Sequence, residues 1–80
     1  MALFFIEYDL RMQRNYQPLT DELKRFDAVR VLKSLWCFNR INTNATNLRD
    51  HFKKFIDSDD GITVAEVSDW AAYNVLAAPK

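Results

Sequence analysis

Apolar and polar positions along the opening run ALFFIEYDLR, Ala2 to Arg11, read with a period of two. In an extended chain Phe4, Ile6, Tyr8 and Leu10 share one face, and Leu3, Phe5, Glu7 and Asp9 share the other. The first face is wholly apolar, which predicts a strand with one side in a core. The second turns acidic just before the chain leaves through the polar run Arg11 to Asn15. Those two carboxylates are either solvated at the end of a sheet or the chemistry of the protein.

The period then changes. Tyr16, Leu19, Leu23 and Phe26 recur at spacings of three, four and three, and Pro18 stands where a first helical turn tolerates it, so a helix is predicted over about 17–27. The run AVRVLKSLWCFNRI, residues 28–41, is β-branched and aromatic but too long for one ordinary strand. It reads as two strands turning near Lys33 to Leu35, with no Gly or Pro to mark the turn. After the loop material NTNATN, Leu48, Phe52, Phe55 and Ile56 fall on one helical face, with Arg49, Asp50, Lys53 and Lys54 off it, predicting a second helix over about 46–57. DSDDG ends it, with Gly61 expected in a left-handed turn. ITVAEVSDW reads as a last strand. In the tail AAYNVLAAPK, Ala71, Tyr73 and Val75 alternate like an added strand docked on another element. The order β-α-β-β-α-β, on one antiparallel sheet with both helices on one face, is an α+β ferredoxin-like arrangement covering residues 1–80 as one domain.

Eighty residues bury only roughly 60 to 65% of the surface the unfolded chain exposes. Six Phe, three Tyr and two Trp are many for so small a core, which points to a homodimer or higher oligomer that covers some of them. Eleven basic and eleven acidic residues cancel, so phosphate binding must be local rather than driven by net charge. The single Cys37 excludes a disulfide framework within the chain and reads as core. The N-terminal apolar run is too short to span a bilayer and carries acids but no basic leader, so no membrane association and a cytoplasmic location are expected.

Several motifs fail on spacing. DSDDG is not an EF-hand loop, because Gly61 comes fifth and position twelve is Ser68. His51 has no second His or nearby Cys at metal spacing and reads as a surface residue, and neither Ser34 nor Cys37 has a base. Trp36 and Phe38 share one strand face; they either stack bases, as sheet aromatics do in RNA-binding folds, or fill a core or dimer interface.

A first strand ending in Tyr8-Asp9, a helix, a strand ending at Ser34 before the aromatic LWCFNR, a second helix and the strand ITVAEV together resemble the CRISPR-associated protein 2 family over about residues 2–70. They resemble equally the related virulence-associated protein D toxins, and the stretch NYQPLTDEL looks more like that toxin branch. The resemblance implies a homodimer in which the Asp ending the first strand, here Asp9, meets its symmetry mate and holds Mg²⁺ or Mn²⁺ for cleavage of an RNA phosphodiester. Two like carboxylates at an axis repel unless one protonates or a cation bridges them, and hard cations take such oxygens together with water and phosphate. The bland alternative is that Asp9 solvates the turn leaving the strand. Glu7 is a candidate second ligand on the same face.

Arg11, Arg14, Arg30, Lys33 and Arg40 lie near strand ends that this fold can gather beside Asp9, and guanidinium groups grip phosphate bidentately. Arg11, Arg14 and Arg40 are the expected phosphate contacts. Two departures from the CRISPR family stand out: no acid follows Asp9 in Leu10-Arg11-Met12-Gln13-Arg14, and the net charge is zero. They speak against a DNA-clamping integration subunit. They leave open a different class, a non-catalytic module that binds a nucleotide signal, nucleic acid or protein, for instance a sequestering protein of phage or bacterial defence.

Overall fold

The computed structural model describes residues 1–11 and 17–79. Its first strand, β1 (Ala2–Asp9), realises the two-sided pattern: Phe4, Ile6 and Tyr8 are buried, while Glu7 and Asp9 are exposed on the opposite face. Burying Phe4 or Ile6 contributes about 1.5–3 kcal/mol each, enough to set which way β1 faces.

Helix α1 (Gln17–Arg25) follows, then β2 (Val29–Leu32), β3 (Leu35–Arg40), helix α2 (Ala45–Phe52), a 3₁₀ turn (Lys53–Phe55) and β4 (Gly61–Val67). The four strands form one antiparallel sheet in the order β2-β3-β1-β4. Leu19 and Leu23 of α1 and Leu48 and Phe52 of α2 join Phe4, Ile6, Tyr8, Trp36 and Phe38 in a single core, so both helices cover the same face. This α+β architecture is compatible with the ferredoxin-like arrangement.

Three expected boundaries move. α1 stops at Arg25 because Asp27 adopts a left-handed φ of 55° that no helix continues through. The second helix starts at Ala45, capped by Asn44, whose Oδ1 accepts from the Asn47 amide at 2.8 Å, and tightens into the 3₁₀ turn after Phe52. β4 begins at Gly61 and ends at Val67, short of Ser68 to Trp70. α1 starts at Gln17, as expected, while Tyr16, the first position of the apolar stripe, lies outside the described residues.

The β2-β3 turn falls at Lys33-Ser34 without Gly or Pro. Its geometry comes from elsewhere: the Lys33 carbonyl accepts from Arg30 Nε at 3.0 Å, Arg30 Nη2 at 2.7 Å and the Tyr8 hydroxyl at 3.4 Å, and the Tyr8 amide donates to the Ser34 carbonyl at 3.3 Å.

The outer sheet face, opposite the helices, is only half covered. Trp70, Tyr73, Val75 and Pro79 of the tail lie with Phe5, Val31 and Leu35 around a cavity of about 170 Å³, and the Leu76 amide donates to the Val31 carbonyl at 2.8 Å. The tail forms no strand, because Asn74 at φ 55° turns the chain and breaks the alternation on which that expectation rested. Cys37, the cross-strand partner of Phe5, is fully buried, as its surroundings in the sequence suggested.

Candidate functional site

On the uncovered half of the outer face lies an open groove of about 680 Å³, lined by Phe5, Glu7, Asp9, Arg11, Thr63 and Ala65 among others. The pleat puts these side chains there. Glu7 and Asp9 are two residues apart on β1, about 6.6 Å along the strand, and their β4 partners are Thr63 and Gly61. Asp9 is the last residue of its strand, so its carboxylate stands at the groove's mouth with its side chain 72% exposed.

Arg11 is folded back on it. Its Nε donates to Asp9 Oδ2 at 3.1 Å and its Nη1 to the Asp59 carbonyl at 3.2 Å. Its backbone amide donates to Asp60 Oδ1 at 2.7 Å. Asp60 also closes its own loop, accepting from the Asp57 amide at 2.9 Å through Oδ2, while its amide donates to the Asp57 carbonyl at 3.1 Å. Gly61 is not left-handed, contrary to expectation. A Cβ there would come 3.0 Å from Arg11 Nη2, the far end of a flexible side chain that can shift to make room. An ion pair this exposed contributes about 0.2–1 kcal/mol, so it biases Asp9 without locking it.

The other expected site residues disperse. Arg40 pairs with Ala2, at the far end of β1 and roughly 23 Å from the level of Asp9. Its guanidinium lies 4.1 Å from the Phe26 ring centroid and donates to the Asn39 carbonyl at 2.9 Å. It is therefore no partner of Asp9 within a chain, and the expectation that the fold gathers it there is corrected. Arg30 is spent on the Lys33 carbonyl and on the Trp36 ring, 5.4 Å from its centroid. Arg14 lies outside the described residues.

Trp36 and Phe38 are 4% and 2% exposed on the helix-covered face, where Trp36 Nε1 donates to the Tyr8 hydroxyl at 3.3 Å. Neither ring offers a free face to a base, so core packing replaces the stacking expectation for both. Among the described residues no group of three or more His, Cys, Asp or Glu could hold a metal.

One ionisable cluster escaped the sequence reading. Glu22, 5% exposed, receives His51 Nε2 at 2.6 Å and Arg25 Nη1 at 2.9 Å. Hydrogen bonding from His51 holds its carboxyl below the ordinary carboxylate value; burial pushes the other way, and the charge of Arg25 helps offset it. The His51 ring also packs on Phe26, Phe52 and Phe55, so it bridges α1 to α2 half-buried rather than standing on the surface as expected. The available signal was a carboxylate at a core position of the Leu19, Leu23, Phe26 stripe.

Comparison with known families adds one finding. The sequence model of the family described as CRISPR associated protein Cas2 matches residues 1–75, nearly the whole chain.

Proposed function

Because the chain belongs to the CRISPR associated protein Cas2 family, we propose that it acts in the cytoplasm as a homodimeric, ferredoxin-like, metal-dependent endoribonuclease that cleaves RNA phosphodiesters at Asp9. The observation that carries this reading is the placement of the Asp9 carboxylate: exposed, at the end of an internal strand, at the mouth of a groove on the half-open sheet face. Asp9 offers one hard-oxygen ligand per chain, so Mg²⁺ or Mn²⁺ would be held there only with a second copy's Asp9, water and the substrate phosphate, and not within a single chain. Bound there, the cation would polarise the phosphoryl oxygen and lower the pKa of an attacking water. Asp9 supplies the ligand, Glu7 adds negative charge along the same groove, and the loop Asp57–Gly61 holds the strand end through Asp60.

Purified protein should cleave single-stranded or structured RNA with Mn²⁺ or Mg²⁺ and stop on EDTA. Asp9→Asn keeps the shape and removes the charge, so the rate should fall by about two orders of magnitude or more with the fold intact. Equal cleavage by Asp9→Asn and wild type would place the activity elsewhere.

A binding module is the second reading, and the exposed Arg11 guanidinium at the open groove, a group that grips phosphate, favours it. It predicts no cleavage of RNA or DNA, and calorimetric heat with a nucleotide ligand that is lost in Arg11→Ala.

A further inference from the structure

Glu22 is a carboxylate where a carboxylate is costly. It stands among the buried positions of α1, and both its oxygens are taken, Oε2 by His51 Nε2 at 2.6 Å and Oε1 by Arg25 Nη1 at 2.9 Å. Apolar side chains join two helices without the desolvation cost of a buried charge. What a carboxylate adds is control of the imidazole, because the bond made by one ring nitrogen sets the state of the other. The Glu22 carboxyl sits below its ordinary value and is ionised at neutral pH, so His51 Nε2 is the donor and the neutral ring carries its lone pair on Nδ1. Nδ1 has no hydrogen-bond partner among the described residues, where no buried side-chain nitrogen or oxygen lacks one. It therefore opens to solvent, on a side chain 34% exposed.

Two guanidinium groups accompany that ring. Arg25 shares the Glu22 carboxylate with it and is otherwise exposed. Arg40 lies 4.1 Å from the Phe26 ring centroid, and the His51 ring packs on the same phenyl at 5.4 Å. Arg40 gives Nη1 to the Asn39 carbonyl, while its Nε and Nη2, without partners among the described residues, are open by the same reasoning as Nδ1. An acceptor beside two cations is matched by a ligand that carries a donor beside an anion, and the ribose 2′-hydroxyl next to a 3′-phosphate is such a pair. We propose that His51, Arg25 and Arg40 form a ribonucleotide-binding site, with His51 Nδ1 accepting from a ribose 2′-hydroxyl and the guanidinium groups holding the neighbouring 3′-phosphate. Glu22 is its positioning residue. The site lies at the Ala2 end of β1, where Arg40 pairs, the end opposite Asp9. Because the 2′-hydroxyl separates RNA from DNA, the site is selective for RNA.

The test titrates three probes into the full chain: a short single-stranded RNA, the same sequence as DNA, and uridine 3′-monophosphate. EDTA is present throughout, so the measurement does not depend on cleavage at Asp9. The readouts are affinity and the nitrogen resonances of the imidazole, which belong to His51 alone because the chain has one histidine. Two variants separate the roles. Arg40→Gln removes a phosphate contact at a position outside the helix pair, and Glu22→Gln keeps the shape while releasing the ring. Circular dichroism confirms that each is folded.

In wild type the RNA should shift the Nδ1 resonance and bind about two- to tenfold more tightly than the DNA, the range of one neutral hydrogen bond. A like shift with uridine 3′-monophosphate assigns the site to the sugar-phosphate group itself, and a shift with RNA alone assigns it to a chain. Arg40→Gln should weaken RNA and DNA together by about tenfold and leave their ratio standing. Glu22→Gln should bring that ratio toward one, which a merely structural role for Glu22 would not do. Equal affinities for RNA and DNA with an unmoved Nδ1 resonance in wild type would overturn the proposal, as would RNA affinity unchanged in Arg40→Gln. Either result leaves the reading of Asp9 untouched.

Discussion

At the residue scale, the most consequential side chain outside the groove is Glu22. It is a buried carboxylate satisfied from two sides, by His51 across the helix pair and by Arg25 one turn on. Removing one partner of a buried charged hydrogen bond costs more than the bond contributes, because the remaining group is left desolvated. Glu22→Gln should therefore lower the stability measured by urea unfolding at neutral pH by about 1–3 kcal/mol. The acid limb carries a second signature. The native carboxyl sits below its ordinary value, so its contribution is present in full above the unfolded value and lost as pH falls through the native one. The stability of wild type should drop more steeply on acidification than that of Glu22→Gln, and parallel slopes would show that the pair carries no linkage.

At the scale of the elements, α2 is only eight residues long and depends on its cap and on packing rather than on intrinsic propensity. Asn44 is the cap, and the helix it starts delivers Leu48, His51 and Phe52 to the core and to Glu22. Asn44→Ala should cost about 0.5–2 kcal/mol, while Asn44→Asp, which keeps the acceptor, should stay close to wild type in the same unfolding assay. The β2-β3 hairpin makes the complementary point. Its two-residue turn has neither Gly nor a left-handed residue; Arg30 from β2 and Tyr8 from β1 hold the Lys33 carbonyl instead. A turn stabilised by a residue 25 positions away leaves no local signature, which is why the turn was legible only from the excessive length of the β-prone run.

For the whole molecule, the outer face decides the expected assembly. The tail covers the β2-β3 side of that face, yet it exposes large apolar side chains of its own: Trp70 at 43%, Tyr73 at 87% and Leu76 at 66%. Beside it, Leu3, Phe5 and Val67 are only partly covered. For a chain of this size that surface is best hidden by a second copy. Light scattering on a sizing column should give twice the 9.4 kDa of one chain. Deleting residues 71–80 should shift the protein toward monomer at equal concentration. A full-length protein that stays monomeric at micromolar concentration would overturn the proposed dimer and, with it, the proposed two-fold metal site. No helix among the described residues is long and apolar enough to cross a membrane.

What the sequence by itself determined is whatever periodicity encodes. The two faces of β1, the apolar stripes of both helices and the order of elements follow from spacings of two and of three to four, because those periods are properties of the backbone. Asp9 was legible for the same reason: an acid at the end of an apolar strand is a local fact. The surroundings of that acid depend on which strand lies beside which. Arg11 and Gly61 are 50 positions apart and meet only because β4 pairs with β1; Arg40 was separated from Asp9 by the antiparallel register of β3, which sends its last residue to the start of β1. Trp36 and Phe38 were placed in the core, and Glu22 beside His51, by the choice of sheet face that the helices cover. Those choices belong to the tertiary structure, since they minimise exposed apolar area summed over the whole chain, a quantity that no short stretch of sequence contains.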